Sequence, residues 1–160
     1  VGPGNGRGHV LYTSVGADGT GADLMMIPAG GSRMPTSAQT VAQRLHYIEI
    51  QGREVFKFAV TKMVACIHNA LAESGFKDED VSLVVPHQVN QRILSAAAER
   101  LGIPGDRIYS NIAHYGNTSA ASVPIALDEA VSTGRIKQGD LVVLVAFGGG
   151  LTWGSSLIRW

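Results

Sequence analysis

At 160 residues the chain has the length of one ordinary domain, able to bury roughly 70% of the surface its unfolded form exposes. Thirteen Lys and Arg against thirteen Asp and Glu leave no net charge, which argues against a nucleic-acid footprint and against an acidic-membrane binder. Charged residues are only 16% and apolar ones 45%, so some surface is expected to be covered by a partner, and the single Cys66 leaves no internal disulfide.

No apolar run approaches the roughly 18 residues of a membrane span, and no secretory signal opens the chain. These features imply a soluble cytosolic protein. The chain starts at Val1 within GPGNGRG, which reads as a turn between two strands of a longer polypeptide. A phosphate-binding loop would need a strand before it and a helix after it; HVLYTSVGA, β-branched and aromatic, follows instead, giving a strand over about 8–16. ADGTGAD then turns into a second short strand, ADLMMIP, as a hairpin.

Residues 29–43 are rich in Gly, Ser, Pro and Gln and read as a surface excursion. HYIEIQ, residues 46–51, is a short strand, and a core helix follows over about 53–74. Phe56, Val60, Met63, Val64, Ile67 and Leu71 form its apolar stripe, and Gly75 ends it. Cys66 lies within the helix beside that stripe, whereas a reactive thiolate prefers a helix start or a cationic neighbour, and it is expected to be buried and structural. Strand 81–86 leads into a helix over 88–101; RIYSN is a further short strand and NIAHYGN a loop. Thr118 or Ser119 can cap a helix running to Thr133, with Pro124 demanding a kink or a late start. LVVLVAF (141–147) is a buried apolar strand, GGG turns, and LTWGSSLIRW reads back. The order β-hairpin, β, α, β, α, β, α, β, β predicts an α/β fold with a mixed sheet.

Three loops stand out. His87 follows one strand, Asn117 closes the loop after another, and Gly148, Gly149 and Gly150 follow a third. If those strands are parallel neighbours, all three loops open on one edge of the sheet. An imidazole N–H and a carboxamide N–H could then bind one developing oxyanion, and a glycine amide a second. Each feature alone is as well explained by a turn, a cap or a structural hydrogen bond. The remaining histidines, His9, His46, His68 and His114, have no ligand spacing that suggests a metal.

PHQVNQRI, HYGNTSAASVPIALDEA, GRIKQGD and AFGGGLTWGSSLIR, with GREVFKFAV upstream, resemble the carboxyl-terminal half of β-ketoacyl-acyl-carrier-protein synthase III, the condensing enzyme that starts fatty-acid synthesis. The resemblance implies the second half of a thiolase-like fold, a mixed five-stranded sheet with helices on its faces. The other half would carry the nucleophilic cysteine; no residue here matches it, and Cys66 lies outside that motif, so the chain alone is expected to be inactive. By position, His87 and Asn117 match the family's decarboxylation pair, and Gly149 matches an amide of the acyl oxyanion hole. Gln88, Val89, Asn90, Gln91 and Arg92 match the carrier-docking stretch, with Lys57 nearby. Gly52, Phe56 and Asn90 match positions along the pantetheine or coenzyme A path.

The implied reaction is a decarboxylating Claisen condensation of an acyl-CoA-derived group with malonyl-acyl-carrier protein. Both are substrates, and no cofactor is implied. The implied partners are the amino-terminal half, acyl carrier protein, acyl-CoA and a second copy in a homodimer, with no nucleic acid and no membrane, in the cytoplasm or a plastid. Two other readings are a related synthase for polyketide or quinolone starter units, and a non-catalytic carrier-binding or dimerising module.

Overall fold

The computed structural model describes residues 8–160; of GPGNGRG only Gly8 is included, and the rest of that predicted turn lies outside the described residues. Its centre is the pair of strands β4 (Leu83–Pro86) and β5 (Leu141–Gly148), which run parallel with Leu83 opposite Val142 and Pro86 opposite Val145. β5 then turns through the glycines into β6 (Thr152–Arg159), antiparallel to it, and β1 (His9–Ala17) pairs antiparallel on the far side of β6. The sheet order is therefore β1, β6, β5, β4.

A fifth position is present only as a single parallel bridge between Val84 and Ile108. The predicted strand RIYSN shrinks to this point because Arg107 still belongs to a 3-10 turn, Gly105–Arg107, and a side chain takes over the next backbone bonds, as described below. The bridge nonetheless fixes the order: residue 108, β4 and β5 are parallel neighbours.

Both faces of β4 and β5 are apolar, as strands covered on two sides require. Val84, Val143, Val145 and Phe147 face α2 (Gly52–Glu73) and α3 (Gln91–Leu101). Leu83, Val85 and Val142 face α5 (Ser122–Ser132) through Ala126 and Ala130. In α2 the predicted stripe is the buried one: Val60, Met63, Val64, Ile67 and Leu71 are inside, Phe56 is half-buried, and Cys66 is 7% exposed. By length and mean hydropathy (22 residues, 1.3) α2 would pass for a membrane span, which the sequence reading did not register. Its apolar side is instead the core helix of this sheet. Met63 is wholly buried, and cutting it to Ala would cost about 2–5 kcal/mol.

The amino-terminal hairpin is a correction. After β1, ADGTGAD forms a 3-10 helix, Gly19–Leu24, in which Asp18 Oδ1 accepts the Thr20 N–H at 3.0 Å. The strand that follows, β2 (Met25–Met26), pairs not with β1 but with β3 (Glu49–Ile50). The excursion between them holds one short helix, α1 (Ala38–Ala42), closed by a capping box from Ser37 and Thr40. Among the described residues Val15 at 83% and Ile48 at 65% are the most exposed large apolar residues, and they lie on β1 and beside β3.

The site at the carboxyl edge of the sheet

β4 ends at Pro86, and the His87 N–H donates to the Val145 carbonyl at 2.8 Å, which carries the pairing one residue further and anchors the histidine beside β5. A tight turn follows, with the Val89 N–H on the His87 carbonyl. Asn90 is extended and caps α3, its Oδ1 accepting the Arg92 N–H at 2.8 Å. The helix predicted from Gln88 thus begins at Gln91.

Gln88 itself turns inward. It is 1% exposed; its Nε2 donates to the Pro86 and Tyr109 carbonyls, both at 3.0 Å, and its Oε1 accepts the Asn111 N–H at 3.1 Å. The residue assigned by resemblance to carrier docking is therefore buried with its amide engaged at both ends. It ties β4 to the segment that would have been the fifth strand. Val89 is half-buried against the core, whereas Asn90, Gln91 and Arg92 are exposed.

The half-buried His87 ring is held on two sides. Its Nδ1 is hydrogen-bonded to Ser122 Oγ at 2.6 Å, and it packs T-shaped against the Phe147 ring, centroids 6.0 Å apart at 64°. Burial pushes its pKa below the ordinary 6.5, so the ring is neutral at pH 7 and the nitrogen not facing Ser122 remains for a ligand. Ser122, 2% exposed, also accepts the Gln88 N–H at 3.1 Å. Sequence reasoning missed Ser122 and the inward role of Gln88. The only signal was a serine at the start of a helix that follows Asn117.

That helix starts late, as Pro124 required. Pro124 sits in the first turn of α5, where a missing N–H removes no helical bond. The loop before it is built around α4 (Ile112–Tyr115), which replaces part of the predicted NIAHYGN loop. Neither Thr118 nor Ser119 supplies a side-chain cap to α5 or to the 3-10 turn before it. Instead the Ser119 N–H donates to Asn117 Oδ1 at 2.9 Å, with Ser119 at a positive φ of 56°. Asn117 is exposed, and its Nδ2 is the end left to donate. Behind the loop, Asn111 Nδ2 donates to Glu129 Oε2 at 2.6 Å, fastening it to α5.

Gly149 lies exposed in the turn after β5, against Met25, and its carbonyl accepts the Thr152 hydroxyl at 3.2 Å. The loops of His87, Asn117 and Gly149 thus leave one edge of the sheet, and Ser122, in the first turn of the helix after Asn117, is hydrogen-bonded to the first. A separate groove of about 390 Å³ is lined by Asp18, Leu24, Lys57, Phe58, Lys62 and Leu151, not by His87 or Asn117.

On α2, Gly52 is the first helical residue and exposed, and the Arg92 guanidinium stands 5.9 Å from the Phe56 ring centroid. This contact brings the start of α2 to the Asn90, Gln91 and Arg92 surface. Lys57 is exposed and lies 3.5 Å from Glu54. Among the described residues no group of three or more His, Cys, Asp or Glu could hold a metal.

A mixed α/β sheet, helices on both faces and a histidine, an asparagine and a glycine turn at its carboxyl edge define a thiolase-like fold. Residues 71–160 match the family model described as 3-oxoacyl-acyl-carrier-protein (ACP) synthase III C terminal, and the chain belongs to that family. It is 51% identical over 160 residues to the β-ketoacyl-acyl-carrier-protein synthase III of Clostridioides difficile, covering 100% of this chain and 48% of that protein. Crystal structures of the 3-oxoacyl-acyl-carrier-protein synthases III of Aquifex aeolicus and Pseudomonas aeruginosa superpose with a TM-score of 0.85 each, at 42% and 39% identity. They are matched over 99% and 100% of this chain and 46% and 47% of theirs. The chain spans about half the length of these relatives.

Proposed function

We propose that the chain is the decarboxylating half of a β-ketoacyl-acyl-carrier-protein synthase III, acting on malonyl-acyl-carrier protein while a cysteine outside residues 1–160 holds the acyl group taken from acyl-CoA. The observation that carries this reading is the half-buried His87, hydrogen-bonded to Ser122 at the start of the helix that follows Asn117, whose Oδ1 is held by the Ser119 N–H and whose amide nitrogen is the end left to donate.

The free imidazole nitrogen and Asn117 Nδ2 donate to the thioester oxygen of the malonyl group. The bond between the methylene carbon and the carboxylate then breaks, carbon dioxide leaves, and the electron pair passes into an enolate whose charge rests on that oxygen. Both donors gain strength only as that charge develops, so they lower the barrier rather than the ground state. The enolate carbon attacks the acyl carbonyl on the cysteine, the Gly149 N–H stabilises the oxygen of the tetrahedral intermediate, and the cysteine thiolate departs. No cofactor is required. Asn90, whose amide nitrogen is left by the α3 cap, serves the pantetheine arm together with Gly52 and Phe56. Arg92, Lys57, Gln91 and the adjoining Val89 meet the acidic carrier.

In the full-length protein, His87→Ala should lower carbon dioxide release from malonyl-acyl-carrier protein about 10²–10³-fold while leaving acyl transfer from acyl-CoA to the cysteine largely intact. Equal loss of both steps would overturn the proposal. Residues 1–160 by themselves should form no acyl-enzyme.

A further inference from the structure

We infer that Ser122 is a positioning residue for His87: its hydroxyl accepts the Gln88 backbone N–H and donates to His87 Nδ1, so the neutral ring carries its proton on Nε2 and presents it to the ligand.

The inference follows from counting hydrogens. A serine hydroxyl has one proton and two acceptor sites. The Gln88 amide, 3.1 Å from Ser122 Oγ, can only donate, so it occupies an acceptor site. His87 Nδ1, at 2.6 Å, is the other partner of Oγ among the described residues. Ser122 is 2% exposed, so water is not a general alternative. Were Nδ1 to carry the proton, the hydroxyl would accept twice and its own proton would be buried without an acceptor, an arrangement native structures avoid. With the proton on Nε2 the Ser122 hydroxyl donates to Nδ1 and accepts from Gln88, and neither is left unpaired.

The packing supports the same direction. Phe147 packs against the ring in a T-shaped arrangement, centroids 6.0 Å apart at 64°, and restricts how the imidazole can turn. The His87 backbone N–H is fixed on the Val145 carbonyl and that of Gln88 on Ser122, so the residues on both sides of the ring are tethered. Ser122 sits in the first turn of α5 and Asn117 in the loop that enters it. One hydroxyl therefore sets the tautomer of the first donor and ties it to the segment bearing the second.

The inference rests on the proposed decarboxylating role of His87 for its catalytic consequence, but not for its structural content. Full-length protein labelled with ¹⁵N at histidine should show His87, identified by the loss of its signals in His87→Gln, as the Nε2–H tautomer at neutral pH. Ser122→Ala should raise the Nδ1–H fraction of that residue and lower the decarboxylation kcat at least tenfold, with KM for malonyl-acyl-carrier protein within about twofold. Ser122→Thr, which keeps the hydroxyl, should restore both.

A wild-type Nδ1–H tautomer would overturn the inference. So would an unchanged kcat in Ser122→Ala, or a loss that Thr fails to rescue. Should Ser122→Ala not fold, Ser122→Cys, with a weaker donor of similar size, takes its place. If His87→Ala leaves decarboxylation intact, the functional proposal fails, and the nitrogen spectra of wild type and Ser122→Ala still decide the Ser122 assignment without turnover.

Discussion

The backbone N–H of Ser119 donates to Oδ1 of Asn117 at 2.9 Å. The contact decides which end of the carboxamide faces outward: the oxygen is held by the turn, and the amide nitrogen is the donor left over. Asn117→Asp tests this directly, because an aspartate keeps the oxygen that binds Ser119 but puts a second, negative oxygen where the NH₂ group was. The turn should survive with little change in Tm. Carbon dioxide release from malonyl-acyl-carrier protein should fall about 10²–10³-fold, the scale of losing one oxyanion donor.

Gly116, immediately before Asn117, has φ 68° and ψ −159°, a conformation almost confined to glycine. A Cβ added there would meet nothing within 4 Å, so the cost of Gly116→Ala is in the backbone rather than in a clash. Denaturant unfolding of the full-length variant should show a loss of about 1–3 kcal/mol. Decarboxylation should fall as well, since the strain relaxes by rotating Asn117 away. A variant of unchanged stability would show that the backbone of this loop adapts freely.

The position of His87 has a consequence in pH. Burial lowers its folded-state pKa below 6.5, so between the two values the unfolded chain binds the proton that the folded one refuses. This contribution to stability is fully present above the unfolded value of about 6.5 and is lost as pH falls through the folded value. Titration of His87 followed by ¹⁵N or ¹H NMR should show its midpoint below the ordinary 6.5. The acid limb of the decarboxylation rate should follow the same midpoint, since an imidazolium would exchange the hydroxyl-bonded Nδ1 for a donor facing Ser122.

Local pattern made much of the architecture legible, and non-local pairing hid the rest. The α2 stripe of Val60, Met63, Val64, Ile67 and Leu71 is a property of successive turns, and so is the uninterrupted apolar run of β5. The partner of β1 is not local: ADGTGAD looks like a hairpin turn, yet Asp18 caps a 3-10 helix there, and β1 reaches across the chain to pair His9 with Arg159. At the site, the strand-to-helix junction at His87 was visible because Pro86 and the switch of period mark it. The inward turn of Gln88 was not, because glutamine after a strand reads as the first polar residue of a helix. Ser122 escaped for a similar reason, since its partner His87 is brought to it only by the parallel crossover.

Cys66 provides a check on the core. Burial pushes its thiol above the ordinary value, only partly offset by the Ser155 hydroxyl beside it and by the charge of Lys62. A thiol that is 7% exposed and held protonated is a poor nucleophile. In the native protein Cys66 should resist iodoacetamide at pH 8 while the proposed nucleophilic cysteine outside residues 1–160 reacts, and Cys66 should become labelled once denaturant is added. Peptide mapping separates the two. Cys66→Ala should retain condensation activity, because this cysteine fills space on α2.

Gln88 supports the sharpest stability prediction. Its two amide ends satisfy the Pro86 carbonyl, the Tyr109 carbonyl and the Asn111 N–H, three backbone groups that the missing ladder of a fifth strand leaves over. Gln88→Leu has nearly the same volume but strands all three in the interior. The expected loss is about 2–5 kcal/mol in denaturant unfolding. Gln88→Glu should be no better, because a carboxylate can accept from Asn111 but sets a negative oxygen against the two carbonyls. If Gln88 instead met a carrier protein from the surface, both variants would keep wild-type stability and lose only affinity for the carrier, so a melting curve beside a carrier titration distinguishes the two roles.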